Sequence, residues 1–380
     1  MRKYIVLSLI LIASFMSCVK KPSKTLLFVG SFTEGAPSDG IHVYEFDDAT
    51  GELFFRSKVD SLINPSFLKI AIDGKHLYSV MESQLPTHGK VAAFAVDSLT
   101  GSLKLLNVQS AGGRNPAHLS LHPDRKYLVN SNYTDAGISF FQIETDGSLA
   151  PYHQLVEFND SSIVKGRQDE AHLHSTNFSP DGQFLFGQDL GADKIRAFKV
   201  TDIEADSLRL QPSKEIPVKP GSGPRHFTFH PNGKFGYGVS ELSGKVAAYT
   251  YDNGHLEFLA DYQSYATKQE IYRSADIHIS PDGKFLYASN RGPKEDSISI
   301  FLINQETGSL NAVGHVPTYG KHPRNFVISP SGKFLLVANQ FSNNIIVFER
   351  DSVTGELTKL ATELPFNNPS SLQMRTYKRY

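Results

Sequence analysis

Residues Gly223–Tyr251, GPRHFTFHPNGKFGYGVSELSGKVAAYTY, carry the pattern that decides the fold. HFTFH is an alternating, β-rich run, PNGK has the Pro and the Asn-Gly of a tight turn, and FGYGVSE follows as a return strand. A second turn at Ser243 and Gly244 leads into VAAYTY. Aromatic and β-branched runs separated by Asn-Gly and Ser-Gly are typical of hairpins. The stretch therefore predicts three consecutive antiparallel strands and no helix.

The same turn recurs along the chain roughly every 50 residues, which is a propeller-blade period. Its copies begin at Ile72, Pro123, Pro180, Pro231, Pro281 and Pro330. Each copy is followed by a return strand, a third strand such as KVAAFAV or KIRAFKV, and then a turn of the Thr-Gly-Ser-Leu type before a fourth strand. A repeated four-stranded antiparallel unit predicts an all-β fold, a β-propeller.

The two ends of the chain predict how the ring closes. Asn368–Leu372 repeats the entry to a blade seen at Asn64–Leu68, and the chain stops soon afterwards. Thr25–Thr33 resembles a return strand that lacks its entry strand. We therefore expect the N- and C-terminal strands to pair and to complete a seventh blade, which leaves no open sheet edge at the seam. Residues 25–380 would form this single domain.

The N-terminal residues have a different character. Arg2 and Lys3 precede an apolar run that is too short to cross a bilayer, and the protein's one cysteine, Cys18, lies where cleavage would follow. This pattern predicts a bacterial lipoprotein signal over residues 1–18, lipid attachment at Cys18 and a tether over residues 19–24. The protein would then be exported and anchored to the cell envelope. An uncleaved anchor and ordinary secretion are the alternatives.

The composition excludes some classes of partner. The chain has 39 acidic and 38 basic residues, with no basic tail or run of like charge. Nucleic acid is therefore not an expected partner. We expect a monomer that binds a small molecule and contacts the membrane only through its lipid.

Comparison of the blades with each other locates the candidate site. The residue six positions before each turn should begin the innermost strand and line the mouth of the central channel. In chain order these residues are Ser66, Ala117, His174, Arg225, Ala275, Arg324 and, at the closure, Ser370. A purely structural position would favour one residue type in every blade, whereas here His or Arg occupies three of them. The chemistry is therefore expected on those three blades.

The hairpin geometry predicts partners for these residues. Suppose that the residue just before the turn pairs with the residue five positions after the first turn residue. The three channel residues then face the end of the return strand. The predicted pairs are Arg225 with Glu241, Arg324 with Gln340, and His174 with Leu190, next to Asp189. The adjacent position adds His118, His226 and Asp276, which the pleat would point to the other face.

These residue types suit hydrolysis of an ester or lactone without a metal. Two guanidiniums can hold a carboxylate, a phosphate or an anionic intermediate, and His174 can accept a proton from water. Glu241 could orient Arg225 or act as the base itself. The alternative interpretations are that Arg225 and Glu241 form only an interstrand ion pair and that His174 is a hydrogen-bonded structural histidine.

Two further features lie near His174 in the sequence. His172 and His174 are two residues apart, a spacing that can bind zinc, and Glu170 could extend the alternation. We nevertheless expect no metal and no cofactor. The polar segment 159–170, NDSSIVKGRQDE, makes one repeat interval longer than the others, and it predicts a rim loop near His174.

Three stretches resemble the seven-bladed propeller lactonase family, which includes the propeller-type 6-phosphogluconolactonases and the carboxymuconate-lactonizing enzymes. They are HLHSTNFSPDGQFLFGQDLGADKIRAF from His172, GPRHFTFHPNGKFGYGVSEL from Gly223 and HPRNFVISPSGKFLLVANQ from His322. The resemblance covers nearly the whole chain after the signal segment. It implies a catalytic histidine at His174, an Arg and a Glu at Arg225 and Glu241, and a second Arg at Arg324.

The leading hypothesis is therefore hydrolysis of a small anionic sugar lactone, as in a 6-phosphogluconolactonase, with the four residues above as catalytic groups. Five more residues are expected to bind substrate: His172, His226, Asp189, Arg291 and Gln340. A cycloisomerase acting on muconate-like diacids is a second hypothesis, and a non-enzymatic propeller that binds a sugar or a protein is a third. Export would separate the protein from phosphosugar lactones made inside the cell, so whether the substrate is phosphorylated stays open.

Overall fold

The structure is a computed structural model that describes residues 23–33, 40–82, 86–204 and 207–378. The predicted signal segment, the lipid-attachment residue Cys18 and tether residues 19–22 lie outside the described residues. Within the described ranges, no helix is long and apolar enough to cross a membrane.

The strands form seven sheets that we number as blades in chain order. Blade 1 contains β1 (Ser23–Ser31), β2 (Ile41–Phe46) and β3 (Leu53–Val59), and blade 2 contains β4 (Leu68–Ile70), β5 (His76–Met81), β6 (Lys90–Val96) and β7 (Leu103–Ser110). Blade 3 contains β8 (Pro116–Leu121), β9 (Tyr127–Asn132), β10 (Gly137–Gln142) and β11 (Gln154–Glu157). Blade 4 contains β12 (Leu173–Phe178), β13 (Phe184–Asp189), β14 (Lys194–Glu204), β15 (Ser207–Pro212) and the short β16 (Ile216–Pro217), which also pairs with β14.

The remaining blades repeat the four-stranded pattern. Blade 5 contains β17 (Pro224–Phe229), β18 (Phe235–Ser240), β19 (Lys245–Asp252) and β20 (His255–Gln263). Blade 6 contains β21 (Arg273–Ile279), β22 (Phe285–Arg291), β23 (Ser297–Ile303) and β24 (Leu310–Pro317). Blade 7 contains β25 (Pro323–Ile328), β26 (Phe334–Asn339), β27 (Asn344–Arg350) and β28 (Leu357–Pro365), and β29 (Pro369–Lys378) returns to blade 1. The predicted all-β propeller of seven antiparallel, four-stranded blades is confirmed.

Ring closure occurs through the predicted pair of terminal strands. β29 lies antiparallel to β1 and supplies the innermost strand of blade 1. The pairing extends from Ser23 opposite Lys378 to Gly30 opposite Ser371. The first strand thus begins at Ser23, two residues before the predicted domain boundary, because Lys378 and Tyr377 provide partners for Ser23 and Lys24.

Apolar residues from adjacent blades form the core. Each of seven hydrophobic clusters in the described residues joins side chains of two neighbouring blades, and together the clusters run around the whole ring. Blades 5 and 6, for example, share a cluster containing Tyr237, Val239, Leu286 and Ala288. Because each blade buries both faces against its neighbours, the inner strands are held firmly around the channel.

The hairpin register differs from the predicted one by one residue. In blade 5, His230 donates its N–H to the carbonyl of Phe235 at 2.9 Å, and Phe229 lies opposite Gly236. The predicted register placed His230 opposite Gly236. The loop is shorter because Gly233, with φ of 70°, donates its N–H back to His230 O at 2.9 Å. A positive φ suits glycine, which has no Cβ to clash.

A β-bulge lies at the channel position, and Arg225 still contacts Glu241 in the shifted register. Pro224 lies opposite Ser240 and His226 lies opposite Val239, which leaves Arg225 without an opposing residue. The corresponding irregularity lies at Ala117, His174, Ala275 and Arg324 in their blades. A bulge inserts an extra residue and changes the direction of its side chain. In blades 3 to 7, the channel residue inferred from the repeats is therefore a bulged residue.

Candidate active site

A cavity of about 250 Å³ opens at the mouth of the channel where the inner strands begin. Its walls are formed by Glu82, Asn115, Ala117, Tyr133, Arg167, His174, Glu241, Arg291 and Arg324. The structure therefore brings together three of the four predicted catalytic residues, and Arg291 from the predicted substrate-binding group. The fourth, Arg225, lies directly behind Glu241.

Glu241 lies among three guanidinium groups. Its Oε2 accepts hydrogen bonds of 3.0 Å from both Arg225 Nε and Arg291 Nη2, and its Oε1 accepts one of 2.6 Å from Arg167 Nη2. Burial alone would raise the pKa of Glu241, but the charges of Arg291, Arg225 and Arg167 outweigh burial and lower its pKa to about 2. Glu241 is therefore an anion whose lone pairs are occupied, and it is poorly suited to remove a proton from water.

Arg225 is only 2% exposed, and its donors are directed at protein acceptors. Besides Glu241, its Nη1 donates to the carbonyl of Ala275 at 2.5 Å and approaches His226 Nε2 at 3.3 Å. His226 Nδ1 in turn lies 2.8 Å from Asp276 Oδ1. This arrangement suits a neutral His226 that donates from Nδ1 to Asp276 and accepts at Nε2. Both Arg225 and His226 thus lie beneath the cavity and support Glu241.

His174 forms the part of the cavity wall that is free for chemistry. Its side chain is 6% exposed, no described residue hydrogen-bonds to it, and its Nδ1 is a buried atom without a partner. The ring packs edge-on against Tyr133 and His226, with centroid separations of 5.5 and 5.2 Å. Burial, followed by the nearby charge of Arg225, holds the pKa of His174 well below its usual value. The imidazole is therefore neutral, and the hydrogen bonds expected of a structural histidine are absent among the described residues.

Arg324 differs from the other arginines of the cavity. Its guanidinium carbon lies 4.8 Å from the centre of the Phe32 ring, and it forms no hydrogen bond or ion pair with the residues that the structure describes. The predicted contact with Gln340 does not form, although Pro323 lies opposite Asn339 in the same register that accompanies the Arg225–Glu241 contact in blade 5. Gln340 lies outside the cavity wall, and its Oε1 is buried without a partner in the described residues. Among the described residues, Arg324 therefore has no hydrogen-bonded or ion-paired acceptor, and its charge acts on the nearby Glu82 carboxyl group.

Asp189 and His172, both predicted to bind substrate, lie beside the cavity. Asp189 is fully buried, and its carboxylate accepts hydrogen bonds from the backbone N–H groups of His172 and Ala192 and from the Arg196 guanidinium. Its oxygens are thus occupied by protein donors. His172 stacks on Tyr133 at 4.5 Å, with Nδ1 3.2 Å from the Tyr133 carbonyl. Across the described ranges, no group of three or more His, Cys, Asp or Glu side chains is arranged to hold a metal ion.

Comparison with known proteins places this architecture in a family. The sequence model described as lactonase, 7-bladed β-propeller, matches residues 26–374. The chain belongs to the propeller lactonase family. It is 60% identical to a 6-phosphogluconolactonase of Formosa agariphila over 92% of this chain and 99% of the relative. A 6-phosphogluconolactonase of Bacillus subtilis is 32% identical over 91% of this chain and 97% of the relative. Among solved structures, the periplasmic gluconolactonase of Pseudomonas aeruginosa matches with a TM-score of 0.87 and 35% identity, covering 93% of this chain and 99% of that chain.

One residue of this propeller lactonase site could not be identified from the sequence. Arg167 belongs to the polar segment 159–170 that was expected to form a rim loop. That segment is tied to blade 4, because Gln168 Nε2 donates to Leu190 O at 2.8 Å and Ser162 Oγ donates to Asp193 Oδ2 at 2.6 Å. The signal available in the sequence was the single long repeat interval, which showed an insertion but not where its side chains would reach.

The propeller lactonase cavity holds a second carboxyl group that was not predicted as part of the site. Glu82 follows β5 and occupies in blade 2 the repeat position that Glu241 occupies in blade 5. Its Oε2 accepts a 2.6 Å hydrogen bond from Ser66 Oγ. Burial raises the pKa of Glu82, although Arg324 and Ser66 act in the opposite direction. Comparison of this repeat position across the blades could have identified it.

Proposed function

We propose that this propeller lactonase hydrolyses a small anionic sugar lactone by base-assisted attack of water at the channel mouth. The observation that carries the proposal is the pairing of two uncommitted groups in one cavity. These groups are the neutral imidazole of His174 and the guanidinium of Arg324, which forms no hydrogen bond or ion pair with a described residue. The names of the relatives at 60% and 32% identity support the same reaction class.

Arg324 binds the anionic group of the substrate. A carboxylate or a phosphate fits the forked donors of a guanidinium, and the cavity wall offers such a ligand two further arginine charges, Arg167 and Arg291, against the single charge of Glu241. Because nearby positive charge contributes to the low pKa of His174, binding of an anion should raise that pKa. The substrate therefore makes His174 a better base in the complex than in the free protein.

His174 accepts a proton from the attacking water as the oxygen of that water adds to the lactone carbonyl. The carbonyl oxygen becomes an oxyanion, and the N–H groups of Arg291 that border the cavity stabilise it. General-base assistance typically contributes about 10²–10⁴-fold, and one donor to the oxyanion about 3 kcal/mol. Arg225, which was expected to touch the substrate, instead fixes the position of Glu241 from beneath.

Glu241 acts as the anion that holds Arg225, Arg291 and Arg167 in one arrangement, rather than as the base. His172, His226 and Asp189, all expected to bind substrate, support the wall from behind through Tyr133, Asp276 and Arg196. For Gln340 we propose no contact with substrate. The named relatives above are lactonases, which favours hydrolysis over the cycloisomerase and the non-enzymatic binding hypotheses.

The experiment follows proton release by the soluble protein starting at Val19, with phosphorylated and plain sugar lactones as substrates. His174→Gln and Arg324→Ala should each reduce turnover by at least about 100-fold. His255→Gln, an exposed histidine outside the cavity wall, is the matched control. No turnover of any lactone by the folded wild type would overturn the proposed function. Unchanged turnover in His174→Gln would overturn the role of His174 alone.

We also propose that the protein is exported and anchored through a lipid on Cys18. The charged and apolar N-terminal residues support export, and a solved relative is named as a periplasmic enzyme. In a bacterial host, the full chain should incorporate labelled palmitate, and Cys18→Ala should not. Equal labelling of both proteins would contradict the anchor.

A further inference from the structure

Opening of a lactone ring places two proton demands on the site. Water must lose a proton as it attacks, and the ring oxygen must gain one as its bond to the carbonyl carbon breaks, because a sugar alkoxide is a poor leaving group. His174 meets the first demand in the proposed function. Glu241 cannot meet the second, since its carboxylate is held by three guanidiniums and remains ionised.

Glu82 is placed to meet the second demand. Its backbone N–H donates to the carbonyl of Asn64 at 3.1 Å, which fixes the end of β5 at the channel mouth. Its side chain lines the same cavity as His174, from blade 2 rather than blade 4. A substrate in the cavity would therefore lie between two groups that approach it from different walls.

The surroundings of Glu82 and Glu241 differ although both occupy the same repeat position. Glu241 accepts from three guanidiniums, whereas the Glu82 side chain accepts its hydrogen bond from the neutral hydroxyl of Ser66. Burial outweighs the charge of Arg324 and the Ser66 hydrogen bond at Glu82 and raises its pKa, which favours the protonated form. Many catalytic sites contain two carboxyl groups whose surroundings favour opposite protonation states, and the protonated one acts as the acid.

We propose that Glu82 is the catalytic acid that protonates the ring oxygen as the lactone opens. The inference rests on the proposed function. The water oxygen forms a bond to the carbonyl carbon while a water proton passes to His174. The bond from that carbon to the ring oxygen then breaks, and its electron pair takes the proton of Glu82. The products are a hydroxy acid, protonated His174 and ionised Glu82, and the proton returns from His174 to Glu82 through solvent.

The test compares pH–rate profiles of the wild type, Glu82→Gln, Ser66→Ala and the exposed control Glu52→Gln with a turned-over lactone. In the wild type, kcat should fall as pH rises through the pKa of Glu82. Glu82→Gln should lower kcat by about 10²–10⁴-fold, leave KM within about threefold and abolish that alkaline limb. Ser66→Ala removes a hydrogen bond that favours the ionised carboxylate, and it should shift the alkaline limb to higher pH.

The outcomes distinguish failure of the Glu82 role from failure of the proposed function. An alkaline limb that survives in Glu82→Gln, or a kcat within about threefold of the wild type, would overturn the role of Glu82 while leaving the proposed function intact. If Glu82→Gln does not fold, an unshifted alkaline limb in Ser66→Ala overturns the role of Glu82 in the same way. Absence of turnover by the wild type overturns the proposed function, and the inference with it.

Discussion

Arg167 donates a 2.6 Å hydrogen bond to Oε1 of Glu241, across 74 residues of sequence. Through this contact, the inserted segment before blade 4 becomes part of a site otherwise built from inner strands and their hairpins. The carboxylate thereby connects the inserted segment, blade 5 through Arg225 and blade 6 through Arg291. The Glu241 carboxylate thus holds three separate parts of the chain in a fixed arrangement.

Removal of Arg167 should weaken substrate binding more than turnover. Its side chain is 37% exposed, so Arg167→Ala removes a cation at the rim of the cavity while leaving the blades intact. We expect KM to rise about tenfold, which corresponds to about 1.4 kcal/mol, with kcat within about threefold. Steady-state kinetics check this, and Lys165→Ala in the same segment is the control. Equal KM values for the two variants would contradict a role of Arg167 in binding.

Glu241→Gln should be severely destabilising. The substitution leaves buried guanidiniums without their counter-ion, a change that typically costs about 3–5 kcal/mol. Arg324→Ala, in contrast, breaks no ion pair with a described residue and should change the free energy of unfolding by about 1 kcal/mol or less. Urea unfolding of both variants makes the comparison. A Glu241→Gln protein as stable as Arg324→Ala would show that the three guanidiniums do not need this carboxylate.

Stability should fall in mild acid because several histidines are buried in their neutral form. Burial and Arg225 lower the pKa of His226 from 6.5 to about 4, and burial and Arg291 lower that of His322 to about 2. The pKa of His118 is also held well below its usual value, chiefly by burial. Between about pH 6.5 and pH 4 the unfolded chain thus binds more protons than the folded one, so the free energy of unfolding falls as pH falls.

Urea unfolding at a series of pH values between about 7.5 and 4.5 measures this slope. The slope of the free energy of unfolding against pH measures how many more protons the unfolded chain binds. His118→Gln should lower that number by up to about one, because it removes one group that titrates only after unfolding. His255→Gln, an exposed histidine, serves as the reference. A stability that stays level across this range, or a slope unchanged in His118→Gln, would argue against neutral burial.

Arg125→Gly should stabilise the protein. Five of the six repeated hairpin turns have glycine with positive φ at the third residue, whereas blade 3 has Arg125 with φ of 69°. A side chain in this region costs about 1–2 kcal/mol, and part of that strain is offset by the extra freedom of glycine in the unfolded chain. We expect a net gain of about 0.5–1 kcal/mol in thermal or urea unfolding.

Gly233→Ala is the matched opposite change. It lies at the same turn position in blade 5, and a Cβ there would meet nothing within 4 Å. Any loss of stability in Gly233→Ala therefore reports backbone conformation rather than a clash. If both variants lose stability, the turn geometry assigned to blade 3 is wrong.

The repeats in the sequence were sufficient to predict the propeller, the number of blades and the closure by the terminal strands. These features depend on local signals, such as Pro and Gly in turns and alternating apolar residues, that recur with a constant period. The same comparison pointed to His174 and Arg324, which line the cavity, and to Arg225, which lies beneath it, because equivalent positions of a repeat occupy equivalent places in the ring.

Only the tertiary structure decided what each of these side chains contacts. The pattern indicates the period of the hairpins, but a one-residue change in turn length or a bulge alters every cross-strand partner. Even where two blades share the same bulge and register, the contacts differ: Arg225 reaches Glu241, whereas Arg324 lies over the Phe32 ring rather than against Gln340. The path of an inserted segment is not periodic at all, and so Arg167 could be found only in three dimensions. Whether a carboxyl group is hydrogen-bonded by three guanidiniums, as Glu241 is, or by a hydroxyl, as Glu82 is, depends on residues brought together only in the folded ring.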